Sequence, residues 1–88
     1  MSQPAFTPEE IREVRSIARM SMREFAKALD VALNTINSWE NGKVEISSSL
    51  ADRVTAFKRD VIRREVASID AQIRKLEAKK TYLRSLVR

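Results

Sequence analysis

Residues Ser21–Lys43 read SMREFAKALDVALNTINSWENGK. Ser21 followed by Glu24 has the form of a capping box. Phe25, Ala26 and Leu29 come next at helical spacing, so a helix starts here and buries that face. Asp30-Val31-Ala32 makes a turn. A second helix runs from about Leu33 to Asn41 and buries Ile36 and Trp39. Gly42, the only glycine in the chain, supplies the left-handed residue that ends it. Two short amphipathic helices at this spacing can hold the second one out for insertion into a DNA groove.

Upstream, Thr7-Pro8-Glu9-Glu10 is a further helix start, with Thr7 as N-cap, Pro8 at the first helical position and Glu10 closing a capping box. Ile11, Val14, Ile17 and Ala18 follow on one face. Downstream, nothing from Ser47 to Arg88 interrupts a helix, because the stretch has neither Gly nor Pro. Apolar residues recur at 50, 54, 57 and 61, then at 62, 66, 69, 73, 76, 83 and 87. The second series steps by four and three. It forms a heptad seam with Val66, Ile73, Lys80 and Val87 at a and Ile62, Ile69, Leu76 and Leu83 at d. The two series are out of phase between Val61 and Ile62. This reads either as a fourth helix to about Arg59 followed by a fifth from Asp60, or as one bent helix.

Composition excludes several kinds of chemistry. The chain has 88 residues with no His and no Cys, which removes Ser/His/Asp and Cys/His catalysis and structural zinc. No catalytic residue, cofactor or metal is expected. The opening MSQPAFTPEE has no basic n-region and no apolar run, and no stretch has the apolar length to span a bilayer. A cytoplasmic protein without membrane association is expected. The net charge is +5, unevenly spread. Residues 1–46 hold six basic and seven acidic residues, a net of −1, and residues 47–88 hold eleven and five, a net of +6. The basic character lies in the tail.

Ser21, Phe25, Ala26, Leu29, Val31, Thr35, Ile36, Trp39, Glu40, Gly42 and Lys43 stand where the XRE, or lambda-repressor-like, family of bacterial and phage regulators has its pattern S-Q-x-x-L-A-x-x-L-G-V-S-x-x-T-I-S-x-W-E-x-G-K. The resemblance covers Ile11 to about Lys43 and does not extend into the tail. It implies an all-α fold with a compact helix-turn-helix DNA-binding module over residues 1–46; the heptad series beyond it is expected to form a helical region over 47–88 that completes the core and mediates dimerisation. It implies that Arg15 pairs with Glu40. It also implies that base edges face Leu33, Asn34, Asn37 and Ser38, while Ser21, Arg23, Thr35, Asn41 and Lys43 meet phosphates. An Asn amide pairs bidentately with adenine, which makes Asn34 the sharpest base contact. Leu33 either packs on a thymine methyl or closes the turn from inside.

The chain departs from the pattern at three informative places. Met22 replaces the Gln that grips a phosphate, which leaves that contact to Arg23 or to backbone N–H groups. Asp30 replaces the turn Gly and tolerates the left-handed region better than most residues. Ala32 replaces the Ser or Thr N-cap of the recognition helix, a loss of about 1 kcal/mol.

A module this small is marginal alone. Pairing two through the seam of Ile62, Val66, Ile69, Ile73, Leu76, Lys80, Leu83 and Val87 places two readers on half-sites about 34 Å apart. In a parallel in-register pair Glu65 would face Asp70 and Lys79 would face Arg84, both repulsive, which favours antiparallel tails or a tail packed across the partner's reader. The alternative is a seam folded back on its own domain. The expected function is a homodimeric repressor binding double-stranded DNA at a pseudo-palindromic operator. The alternative is an antitoxin or interaction protein whose basic C-terminal helix binds a protein partner.

Overall fold

The computed structural model describes residues 6–87; residues 1–5, Pro4 among them, and Arg88 lie outside it. Within this range the chain forms α1 (Pro8–Ala18), α2 (Met22–Leu29), α3 (Leu33–Glu40) and α4 (Ser48–Ser85). The first two start as their sequences predict. The Thr7 hydroxyl accepts from the Glu10 N–H while the Glu10 carboxylate accepts from the Thr7 N–H, and Ser21 and Glu24 repeat the arrangement. Ala32 gives α3 no side-chain cap.

All three short helices end in the same way. Arg19, Asp30 and Gly42 each adopt the left-handed conformation, at φ 57°, 58° and 71°. The N–H groups of Met20, Val31 and Lys43 reach back to the carbonyls of Arg15, Ala26 and Ser38. This is the Schellman closure, and Met20 and Val31 supply the apolar residue that packs behind it. Arg19 gives no sign of this role in the sequence. Helix α3 ends at Glu40, one residue short of expectation, because Asn41 has already left helical geometry to lead into Gly42.

The core gathers Ile11 and Val14 from α1, Phe25, Ala26 and Leu29 from α2, Ile36 and Trp39 from α3, and Val54 from α4. The start of α4 thus belongs to the core. Phe57 meets Phe25 with tilted rings whose centroids are 5.5 Å apart. Arg53 donates to the Leu29 carbonyl at 3.2 Å, closing the C-terminus of α2 from the neighbouring helix.

Helix α4 is one continuous element, so the reading as two helices does not hold. The phase shift at 61/62 is a change of face. Adjacent residues of a helix point about 100° apart. Val61 turns inward and is buried, whereas Ile62 points away and begins a separate stripe. No bend is required. From Ile62 onward the stripe faces solvent: Ile62, Val66, Ile69, Ile73, Leu76, Leu83 and Val87 are all exposed. The seam does not fold back on its own domain. The described chain measures 64 × 29 × 19 Å, a small globule with a rod projecting from it.

Candidate nucleic-acid interface

Helix α3 is held from behind and open in front. Ile36, Trp39 and Glu40 are buried, while Leu33, Asn34 and Asn37 are exposed and Thr35 and Ser38 are half-buried. Eight residues with an uncapped N-terminus make a weak helix in isolation. Its orientation therefore comes from the core beneath it and from one ion pair. Arg15 on α1 donates through Nε to Glu40 Oε2 at 2.8 Å and through Nη2 to Oε1 at 2.9 Å, and its Nη1 reaches the Met20 carbonyl at 3.2 Å. Glu40 is 3% exposed and is the only buried charged residue among those described. The hydrogen bonds to Glu40 raise the Arg15 pKa above its ordinary value, so the guanidinium stays charged. A bidentate fork fixes angle as well as distance. The pair therefore sets the pitch of α3 against α1, and every buried side-chain polar atom among the described residues is satisfied.

The outward strip is not uniform in chemistry. Asn41 Nδ2 donates both to the Asn37 carbonyl and to Asn37 Oδ1, each at 2.9 Å. A carbonyl only accepts, so the amino group of Asn41 must face it, and the atom of Asn37 receiving the second hydrogen must be Oδ1. Both amide hydrogens of Asn41 are thereby used, and what remains is an acceptor. A phosphate oxygen offers nothing to an acceptor. A phosphate contact from the Asn41 side chain would require these bonds to Asn37 to open. The exposed Asn37 is left with an amino group that makes no hydrogen bond among the described residues and can donate. Asn34 forms no side-chain hydrogen bond among the described residues and keeps both halves of its amide. Leu33 is 40% exposed, which removes its alternative reading as a core residue.

Around the strip, Ser21 and Arg23 stand exposed at the start of α2, and Lys43 is exposed beyond Gly42. The Ser21 oxygen accepts the cap bond from Glu24, which leaves its hydroxyl hydrogen to donate. The Glu24 carboxylate occupies the same helix end, which lowers the appeal of that N-terminus to an incoming phosphate. Met22 is packed against the core instead of facing outward. A shallow open depression lined by Asn34, Thr35, Ser38, Trp39 and Val44 flanks α3.

A helix-turn-helix family profile matches residues 11–57, more than half of the chain. The chain belongs to the XRE, lambda-repressor-like helix-turn-helix family. It is a DNA-binding transcriptional regulator of the XRE type, a family of regulators and not of enzymes. The match runs past Lys43 into α4, which corrects the expectation that the resemblance stops short of the tail. The reason is structural: Ala51, Val54 and Phe57 complete the core of the XRE module. No curated protein and no solved structure matches the chain. Among the described residues no helix is long and apolar enough to cross a membrane.

Proposed function

We propose that this XRE-family chain is a homodimeric repressor that sets α3 of each copy in the major groove of a pseudo-palindromic operator. The observation that carries the reading is the contrast across α3. A polar strip of Asn34, Asn37 and Ser38 stands in front of a face anchored by Ile36, Trp39 and the Arg15–Glu40 fork. Asn34, with a free donor and acceptor, suits adenine N6 and N7. Asn37, with its oxygen engaged by Asn41, suits acceptor edges such as guanine O6 and N7. Leu33 supplies an apolar contact for a thymine methyl. Ser21, Arg23, Thr35 and Lys43 hold the backbone and fix register without reading sequence. One module reads few base pairs and carries little net charge, so two modules joined by the tails of α4 provide the affinity. The protein acts at the nucleoid, in the cytoplasm.

Selection of bound fragments from a random double-stranded DNA pool tests this directly. The expected product is a two-fold symmetric site whose half-sites lie one helical turn, about 34 Å, or a multiple of it apart. Enrichment of a single asymmetric site would sink the dimeric reading. No enrichment at all would sink sequence-specific binding.

A second reading has its own support. The stripe from Ile62 to Val87 is exposed apolar surface on a basic helix, which also fits a protein partner of the antitoxin or adaptor kind. A full chain that stays monomeric, and co-purifies with the product of a neighbouring gene, favours it.

A further inference from the structure

The homodimer leaves the arrangement of the tails undetermined, and the residues along α4 select one. Resting on that dimeric reading, we infer that the partner of the α4 stripe is a second α4 running antiparallel, in the register that sets Ile69 against the partner's Ile73.

Three observations lead there. The first is the seam itself. Its face stays clear of the globule as far back as Thr55 and Arg59, which are exposed. A shallow, almost wholly apolar groove lies there, lined by Thr55, Lys58, Arg59, Ile62 and Arg63. In the proposed register the partner's Leu83 falls beside Arg59 and the partner's Val87 beside Thr55. The end of one tail thus fills the groove at the root of the other, and the overlap uses the seam over its whole described length.

The second is the placement of the polar seam residues. In a parallel in-register pair Arg59 would meet Arg59 and Lys80 would meet Lys80, two like-charge layers inside the interface. In the antiparallel register Arg59 lies against Leu83 and Lys80 against Ile62. Each long side chain then packs its methylene stem on an apolar neighbour and holds its charge at the edge. The centre is left apolar, with Val66 on Leu76 and Ile69 on Ile73, each layer occurring twice by symmetry.

The third is the flanking charge. At the flanks of the seam, antiparallel helices bring e against e and g against g. Here Arg63 lies by the partner's Glu77 and Glu65 by the partner's Lys79, again each twice. Shifting the overlap by one heptad toward the C-terminus would put Arg63 on Arg84 and Asp70 on Glu77, all repulsive. The cost of the chosen register is one like-charged meeting, Asp70 with Asp70 at the two-fold axis. Glu65 also holds Arg19 of its own globule at 3.3 Å, so the Arg63 and Glu77 pair is the cleaner probe.

The test uses full chains. Sedimentation equilibrium first establishes whether the wild-type protein is a dimer at micromolar concentration; a single-chain mass overturns the dimeric reading and this register with it. Given a dimer, Arg63→Glu or Glu77→Arg should each raise the dissociation constant roughly tenfold, and the double swap should return it close to wild type. In a parallel pair Arg63→Glu would tighten association, because position 63 would face the partner's Lys58. The chain contains no Cys, so cross-linking is unambiguous. Differently tagged Ile69→Cys and Ile73→Cys chains, mixed and oxidised, should form disulfides only between unlike chains. Links between like chains, or a double swap that fails to restore association while circular dichroism shows intact helix, overturn the register and leave the dimer standing.

Discussion

The Glu40 carboxylate lies where water does not reach, and the Arg15 fork is what makes that tolerable. Removing one member of such a pair strands the other and costs about 3–5 kcal/mol, whereas replacing both with apolar residues is often close to neutral. Arg15→Ala is therefore expected to lose about 3 kcal/mol, a large share of the stability of any small domain. Arg15→Met combined with Glu40→Leu should recover most of it. Urea unfolding of the two singles and the double closes the cycle, and additive losses would show that the fork contributes nothing beyond its parts. The double variant also separates stability from aim. If the fork sets the pitch of α3, the double variant folds yet binds its site less selectively. At the other face of the same helix, Asn34→Ala should lose about 1–3 kcal/mol on the preferred site and relax one base position. Lys43→Ala should weaken all DNA nearly equally and shallow the salt slope. Binding measured on a panel of single-base variants of the site distinguishes the two, and unchanged base preference in Asn34→Ala would refute its assignment.

The helices are set by their ends more than by their interiors. Ala32 leaves α3 uncapped, so Ala32→Ser should add about 1 kcal/mol, read as a rise in melting temperature. The two capping boxes link the starts of α1 and α2 to pH. Bonds from the Thr7 backbone and side chain hold the Glu10 pKa below its ordinary value, and Ser21 does the same for Glu24. A carboxylate with a lowered folded-state pKa binds more protons when the chain is unfolded. Its contribution is complete above the unfolded value of about 4.3 and disappears as pH falls through the folded one. Stability should therefore drop on acidification across that range, and Glu10→Gln with Glu24→Gln should flatten the slope. These starts, and the ending at Gly42, were legible because capping chemistry is local and type-specific. The endings at Arg19 and Asp30 were less so: Asp tolerates the left-handed region, whereas an Arg there is held only by its tertiary surroundings, with Met20 packed on the core and Glu65 meeting it across from α4. The Asn37–Asn41 bond was hidden for a related reason. Two Asn at that spacing are read as two equivalent polar groups until geometry shows which atoms face each other. The phase shift at 61/62 was visible, but its meaning was not. Periodicity shows that a helix changes its apolar face without showing whether the chain bends or gains a second neighbour.

At the scale of the molecule, the charge count and the shape bear on the same question. The globule that presents α3 is close to neutral over residues 1–46, and the positive charge lies along a rod. A reader of that kind is expected to make few phosphate contacts of its own, and the salt dependence of DNA binding scales with their number at a slope of about −0.9 per contact. A single half-site should therefore bind weakly and with a shallow slope. A full site engaging two joined copies should show about twice the slope and a far higher affinity. Ile73→Asp places a charge in the centre of the seam, far from the packed core that ends at Val61. It should reduce affinity for the full site by a factor of about a hundred, the order gained when linked modules bind together. Affinity for an isolated half-site should not change. Fluorescence anisotropy on both fragments, at several salt concentrations, makes the comparison. Equal losses on the two fragments would mean that α4 supports the reader itself rather than joining two readers. A loss confined to the full site, with the slope halved, would place the gain in affinity in the coupling of two copies.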